Sequence, residues 1–206
     1  MGTSQVLRTF PMFSRTEAFG LQGLLSRGGH YLLTASVDGG FTWADTHSLE
    51  KREGDPGLQT VVALAFAPGA ARFAAGSIGG YARIYDSRTF EPMATLGIEG
   101  DSIRSIQFLD RGDRLVLAGD QGGQDIGAEW GLVAIWDVAT QLELVRLRAE
   151  GMHDQLGVSP DGNVLITRVP VGDEPATKLH LWRAPSWEEI ERAEAALPSV
   201  SAARLR

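Results

Sequence analysis

The chain has 206 residues, 43% of them hydrophobic and 22% charged, which is the balance of a folded protein of one domain or a little more and excludes a disordered one. Its net charge of −7 argues against nucleic acid as a partner, because phosphate is held by basic surfaces. It has no cysteine, which removes disulfides, thiolate catalysis and cysteine zinc sites, and no run approaches the roughly 18 apolar residues of a membrane helix. No membrane partner is expected, and the cytoplasm is the expected location. Lysine occurs only at Lys51 and Lys178, so arginine is expected to carry the inter-strand ion pairs, for which its planar fork is suited.

Taken in chain order, residues 1–19 read as a strand over 5–10 and a linker, as if left from a preceding unit. A turn flanked by apolar runs then recurs four times. Its first residues are Ser26, Ala67, Leu109 and Ser159, at intervals of 41, 42 and 50. An element ending in Ala44-Asp45, Tyr85-Asp86, Trp136-Asp137 or Trp182-Arg183 follows each turn by 18, 18, 27 and 23 residues. A period near 42 with insertions of nine and five residues at one place is a repeat.

Each unit reads as β. First strands are expected at 21–25, 61–66, 103–108 and 156–158, and second strands at 31–35, 72–75, 114–118 and 164–167. Third strands fall at 41–44, 81–85, 132–136 and 178–182. Three units continue into a fourth, at 48–51, 91–96 and 142–147. Short strands bounded by Gly, Pro and Asp turns give small twisted antiparallel sheets. The units span about 20–52, 58–96, 101–147 and 153–183. Residues 184–206 follow, with a helix capped at Ser186 through capping-box spacing to Glu189 and an apolar stripe of Trp187, Ile190 and Leu197.

Four strands at this period, the turn Ser159-Pro160-Asp161-Gly162 and the closing Trp136-Asp137 resemble the WD-repeat family of β-propellers. The likeness runs from about residue 20 to 183. The ending Leu181-Trp182-Arg183-Ala184-Pro185-Ser186-Trp187 is similar to the C-terminus of long bacterial WD-repeat proteins, some of which carry an upstream Ser/Thr kinase domain. The resemblance implies an all-β fold of about four four-stranded blades, as an open arc or partial propeller, with a short C-terminal helix. The family often ties each blade with a His, a Ser or Thr, an Asp and the Trp. Here Glu17, Leu58, Gly100 and Glu150 stand where that His is expected, and His153 lies closer to its turn. Ala44 and Tyr85 replace two of the tryptophans. Only Ser36 and Asp38, in unit one, match the rest of the tie. Blades held by apolar packing more than by buried polar ties are therefore expected.

Few residues suggest chemistry. Ala75-Gly76-Ser77-Ile78-Gly79 is one glycine short of a nucleophile elbow and precedes a strand rather than a helix, so a tight turn is expected. The histidines at 30, 47, 153 and 180 show no metal-ligand spacing. His180 alternates with Leu179 and Leu181 and should point away from their side of the sheet. Asp120, Asp125 and Glu129 lie in the nine-residue insertion, but the EF-hand order is missing and no calcium is expected. No P-loop occurs, and no cofactor is expected.

The insertions remain as candidates for recognition. Trp130 ends the first and reads either as an interface anchor or as a side chain folded back on its blade edge. With Asp120, Gln124, Asp125 and Glu129 it would share one rim with Asp173 and Glu174 of the second insertion, since both replace the same strand connection. The expected function is a non-catalytic protein-interaction scaffold, part of a larger bacterial signalling or multidomain protein, with an unidentified protein partner. The alternative is a propeller hydrolase, lactonase- or esterase-like, with a central metal. Apolar blade faces left bare at the ends of an arc would lead to self-association, or would be covered by blades of a longer chain.

Overall fold

A computed structural model describes residues 22–35, 40–54, 57–58, 60–98, 101–109, 111–121, 130–170, 177–184 and 192. The expected strand over 5–10 and the expected helix after Ser186, apart from the helical Arg192, lie outside these residues.

The described chain is all-β. Blade one orders β1 (Gln22–Leu25), β2 (Tyr31–Ala35), β3 (Phe41–Asp45) and β4 (Lys51–Gly54) as an antiparallel meander. Blade two does the same with β5 (Val61–Phe66), β6 (Arg72–Ser77), β7 (Tyr81–Asp86) and β8 (Pro92–Gly97). Blade three uses β9 (Asp101–Phe108), β10 (Arg114–Gln121), β11 (Trp130–Asp137) and β12 (Glu143–Glu150). In blade four the described strands are β13 (Gln155–Val158), β14 (Val164–Pro170) and β15 (Thr177–Arg183). The inner strands follow one another, β1 packing on β5, β5 on β9 and β9 on β13. Among the described residues the result is an open, propeller-like arc.

Each strand presents one set of residues to the blade before it and the alternate set to the blade after it. Three cores follow. Leu33, Phe41 and Trp43 of blade one meet Val61, Phe73 and Tyr85 of blade two. Ala74, Ala82 and Ile84, on the other face of blade two, meet Ile103, Leu115 and Leu117 of blade three. Val116, Ala118 and Val133 then meet Leu165, Leu156 and Trp182 of blade four. Among the described residues no fourth core joins blade four to blade one. Arginine also stitches neighbours together. Arg72 donates to the Gly112 carbonyl at 2.9 Å, and Arg52 donates to the Arg88 carbonyl.

The fourth strand of blade one begins at Lys51, three residues later than expected, because Asp45 builds a turn in front of it. Its carboxylate accepts from the amides of His47 and Ser48, both at 2.8 Å, and Leu49 sits at φ 64°. Asp86 repeats this with Arg88 and Thr89, with Phe90 at φ 61°. Asp137 repeats it with Thr140, with Gln141 at φ 57°. The aspartate after each third strand is thus a turn device, offering an acceptor to amides that the ladder leaves over. Those amide bonds hold all three carboxyls below the usual aspartate range. Blade four has Arg183 at this position, a side chain with no acceptor to offer such amides.

Candidate interaction rim

The two insertions leave the sheets at equivalent ends of blades three and four. β10 runs to Gln121 and β11 resumes at Trp130, while β14 ends at Pro170 and β15 resumes at Thr177. The ends are tied to each other. The His153 amide donates to the Gly119 carbonyl at 3.4 Å, and the Leu156 amide donates to Ser105 Oγ at 3.1 Å.

Asp120 does not belong to the insertion loop. It is the penultimate residue of β10, fully buried, and its two oxygens accept from Arg104 of β9 at 3.1 and 3.2 Å. A carboxylate taken from water needs such a fork to offset its desolvation, so Asp120 is held as a strand-to-strand brace. The sequence predicted a loop carboxylate because the strands of blade three are longer, at eight residues, than those of its neighbours. Gln124, Asp125, Glu129, Asp173 and Glu174 lie outside the described residues.

Trp130 opens β11 opposite Glu150 of β12, and its side chain is 51% exposed. The next residue, Gly131, is buried against the His153 ring. A large aromatic side chain is thus held at the head of a rigid strand while its face stays open to solvent. Asp154 and Arg168 form a second braced pair on this rim, with Arg168 Nε donating to Asp154 Oδ1 at 2.9 Å. That hydrogen bond raises the Arg168 pKa. Sequence reasoning passed over the pair because its members stand fourteen residues apart, Asp154 just before β13 and Arg168 on β14.

Blade four adds a buried polar tie to the apolar packing that was expected to dominate. His153 Nδ1 lies 2.7 Å from Thr167 Oγ1, and the Trp182 indole donates to the same oxygen at 3.2 Å. Strand register explains why only this unit makes the tie. Trp182 faces Leu165, and Thr167 follows two residues on. In blade three Trp136 faces Leu115, and Leu117 stands at the threonine position, so the Trp136 indole is buried without a partner. In blade one Thr34 stands at that position but Ala44 replaces the tryptophan, and the Thr34 hydroxyl is the orphan. Blade two has Ala75 and Tyr85. The first three blades therefore rest on apolar packing, as expected.

His180 points, as expected, away from Leu179 and Leu181. Its ring lies 5.2 Å from that of His153, centroid to centroid, and 6.1 Å from that of Trp182. Burial first, and the charge of His180 second, hold the His153 pKa below 6.5. The folded state then binds fewer protons at this group than the unfolded chain does. Its contribution is complete above the unfolded value near 6.5 and is lost as pH falls from there to the folded pKa. The turn aspartates, with pKa values lowered from 3.8, lose theirs as pH falls below about 4. Thermal unfolding across pH is therefore expected to show two acid steps. The upper step should vanish in His153→Gln. A wild-type profile flat between pH 7 and 5 would contradict this assignment.

Among the described residues no three His, Asp or Glu side chains come together as a metal cage. Ser77 ends β6 ahead of a turn and donates to the Tyr81 carbonyl at 3.1 Å, as the tight-turn reading expected. At the opposite ends of the strands, a groove of about 450 Å³ between blades one and two is lined by Tyr31, Trp43, Arg52 and Arg88.

Comparison with known proteins bears on the fold. No protein-family model matches the chain, and no curated protein matches it. Among solved structures it is similar to hydrazine synthase from Kuenenia stuttgartiensis, with a TM-score of 0.66 over 84% of this chain at 12% identity. The chain spans about half, 49%, of that protein's length. The similarity supports a repeated, propeller-type β architecture.

Proposed function

We propose that the chain is a non-catalytic scaffold of WD-like repeats that presents the rim of blades three and four to a protein partner. The observation that carries the reading is Trp130, 51% exposed yet fixed by strand pairing beside a part-buried ion pair. An aromatic anchor of this kind offers large contact area at little entropic cost, and interfaces concentrate their binding energy in such residues. The open arc supplies a rigid support for the two insertions beside it. A place within a larger bacterial signalling or multidomain protein, in the cytoplasm, belongs to the same proposal and rests on the resemblance to long WD-repeat proteins. Among the described residues no helix is long and apolar enough to cross a membrane.

The test is affinity capture with the full chain, followed by titration of the recovered partner against wild type and Trp130→Ala. Loss of the anchor should weaken binding by about 2 kcal/mol, roughly 30-fold. Because Trp130 is half exposed, the unfolding midpoint should move little. Unchanged affinity would remove Trp130, and with it this rim, from the binding surface.

A further inference from the structure

The last described strand of blade four carries its cations, Lys178 and Arg183, near its ends and exposes two leucines between them. β4 exposes Lys51, Arg52 and Glu53, β8 begins with Pro92, and β12 carries Glu143, Arg146, Arg148 and Glu150. Charge and proline are the ordinary means of keeping an edge strand from pairing with another chain. β15 stands at the edge of its sheet, seven residues long, with Leu179 58% and Leu181 68% exposed. These two side chains project from the face opposite His180 and Trp182, and Leu181 lies beside Ile166 in register. β15 is thus a third strand by position, with its fourth-strand place open among the described residues.

We propose that β15 pairs antiparallel with β15 of a second copy, about a two-fold axis through His180. The sequence of the strand is self-complementary about that point. Leu179 falls opposite Leu181 of the second copy, Lys178 opposite Trp182 and Thr177 opposite Arg183. The two-fold repeats each contact, so four leucines form one apolar cluster, and the lysines meet indole rings rather than other cations. Moving the axis to Leu179 sets Lys178 against His180. Moving it to Leu181 sets Leu179 against Arg183. Only the axis at His180 sets both leucines of each copy opposite leucines. The pairing merges two three-stranded sheets into one of six and removes both edges, the closed symmetry that most homodimers adopt. It uses neither Trp130 nor any partner bound at the rim.

Light scattering on the full 206-residue chain at tens of micromolar should give a dimer mass, twice 22.2 kDa. The double variant Leu179→Lys/Leu181→Lys should return to the 22.2 kDa monomer with unchanged circular dichroism. The register is tested by His180→Cys. Because the chain has no cysteine of its own, that variant should give a disulfide-linked dimer on mild oxidation. Directly opposed residues across an antiparallel pair are close enough for the bond. Met93→Cys, exposed on β8, should not link. A wild-type monomer overturns the proposal, as it would if a segment of the same chain covered β15. So does a dimer that survives the lysine pair, and so does a dimer that fails to link through position 180.

Discussion

Phe73→Ala is expected to lower the stability of the arc by about 4 kcal/mol, the cost of removing a large buried ring whose site cannot collapse. Phe73 is fully buried on β6. It stacks on Tyr85 at 5.0 Å and meets Phe41 edge-on at 5.2 Å, with Phe90 at 6.0 Å and Phe66 at 6.5 Å. Those rings come from both blades one and two, so the cavity opens at the junction rather than within one sheet. The neighbours are themselves anchored. Phe41 is pinned against Gly54, where a Cβ would strike its ring, and Tyr85 and Phe90 flank the Asp86 turn. Urea unfolding followed by tryptophan emission should show a midpoint shift larger than for any exposed substitution. Trp43 should report the loss before Trp182, because coupling in a row of repeats passes only between neighbours. A shift below about 1 kcal/mol would mean that blades one and two are not packed through this ring.

Gly131→Ala is expected to cost about 3 kcal/mol by overpacking, although alanine suits an extended backbone. A Cβ at this position would strike the His153 ring and the Gly151 carbonyl. Neither can retreat. His153 is fully buried and fixed to Thr167, and Gly151 is held at φ 83° with its own space filled by Val169. The substitution therefore forces blade three away from the segment leading into blade four. In a His153→Ala background the added cost should shrink but not vanish, because the Gly151 carbonyl remains. Such a double-mutant cycle measures the contact itself. Equal unfolding midpoints for Gly131→Ala and wild type would exclude the close approach of the two blades.

The architecture was legible because its signals are local. Alternation of apolar residues and the turns at Ser26, Ala67, Leu109 and Ser159 are written within a few residues, and the strands follow them. The errors arose where meaning depends on a partner far along the chain. Asp120 looked like a loop carboxylate because the Arg104 that neutralises it stands on another strand. His153 looked misplaced because its distance from the turn was counted along the chain, whereas the tie forms across the sheet through Thr167. Trp136 looked like an intact fragment of the motif and proved to lack its complement, a matter of register that no single segment reveals. The start of β4 was misjudged for a different reason. Asp45 was read as a closing residue of the third strand, while its side chain governs the four residues after it. Trp130 was singled out by its residue type and its place at the end of the insertion, and it stands half-exposed at the head of β11.

The three separate cores have a bearing on how such a chain changes over generations. Every blade settles its packing with the one before it, so a unit gained or lost at the end of the row leaves the earlier junctions unaltered. What each new unit must supply is small: an alternating stripe on each face, a two-strand turn, and an aspartate after the third strand to bring in the outermost one. Blade four has Arg183 in place of that aspartate, and among the described residues β15 is the edge of its sheet. Growth by duplication, and joining by assembly, would begin from the same seven residues of β15.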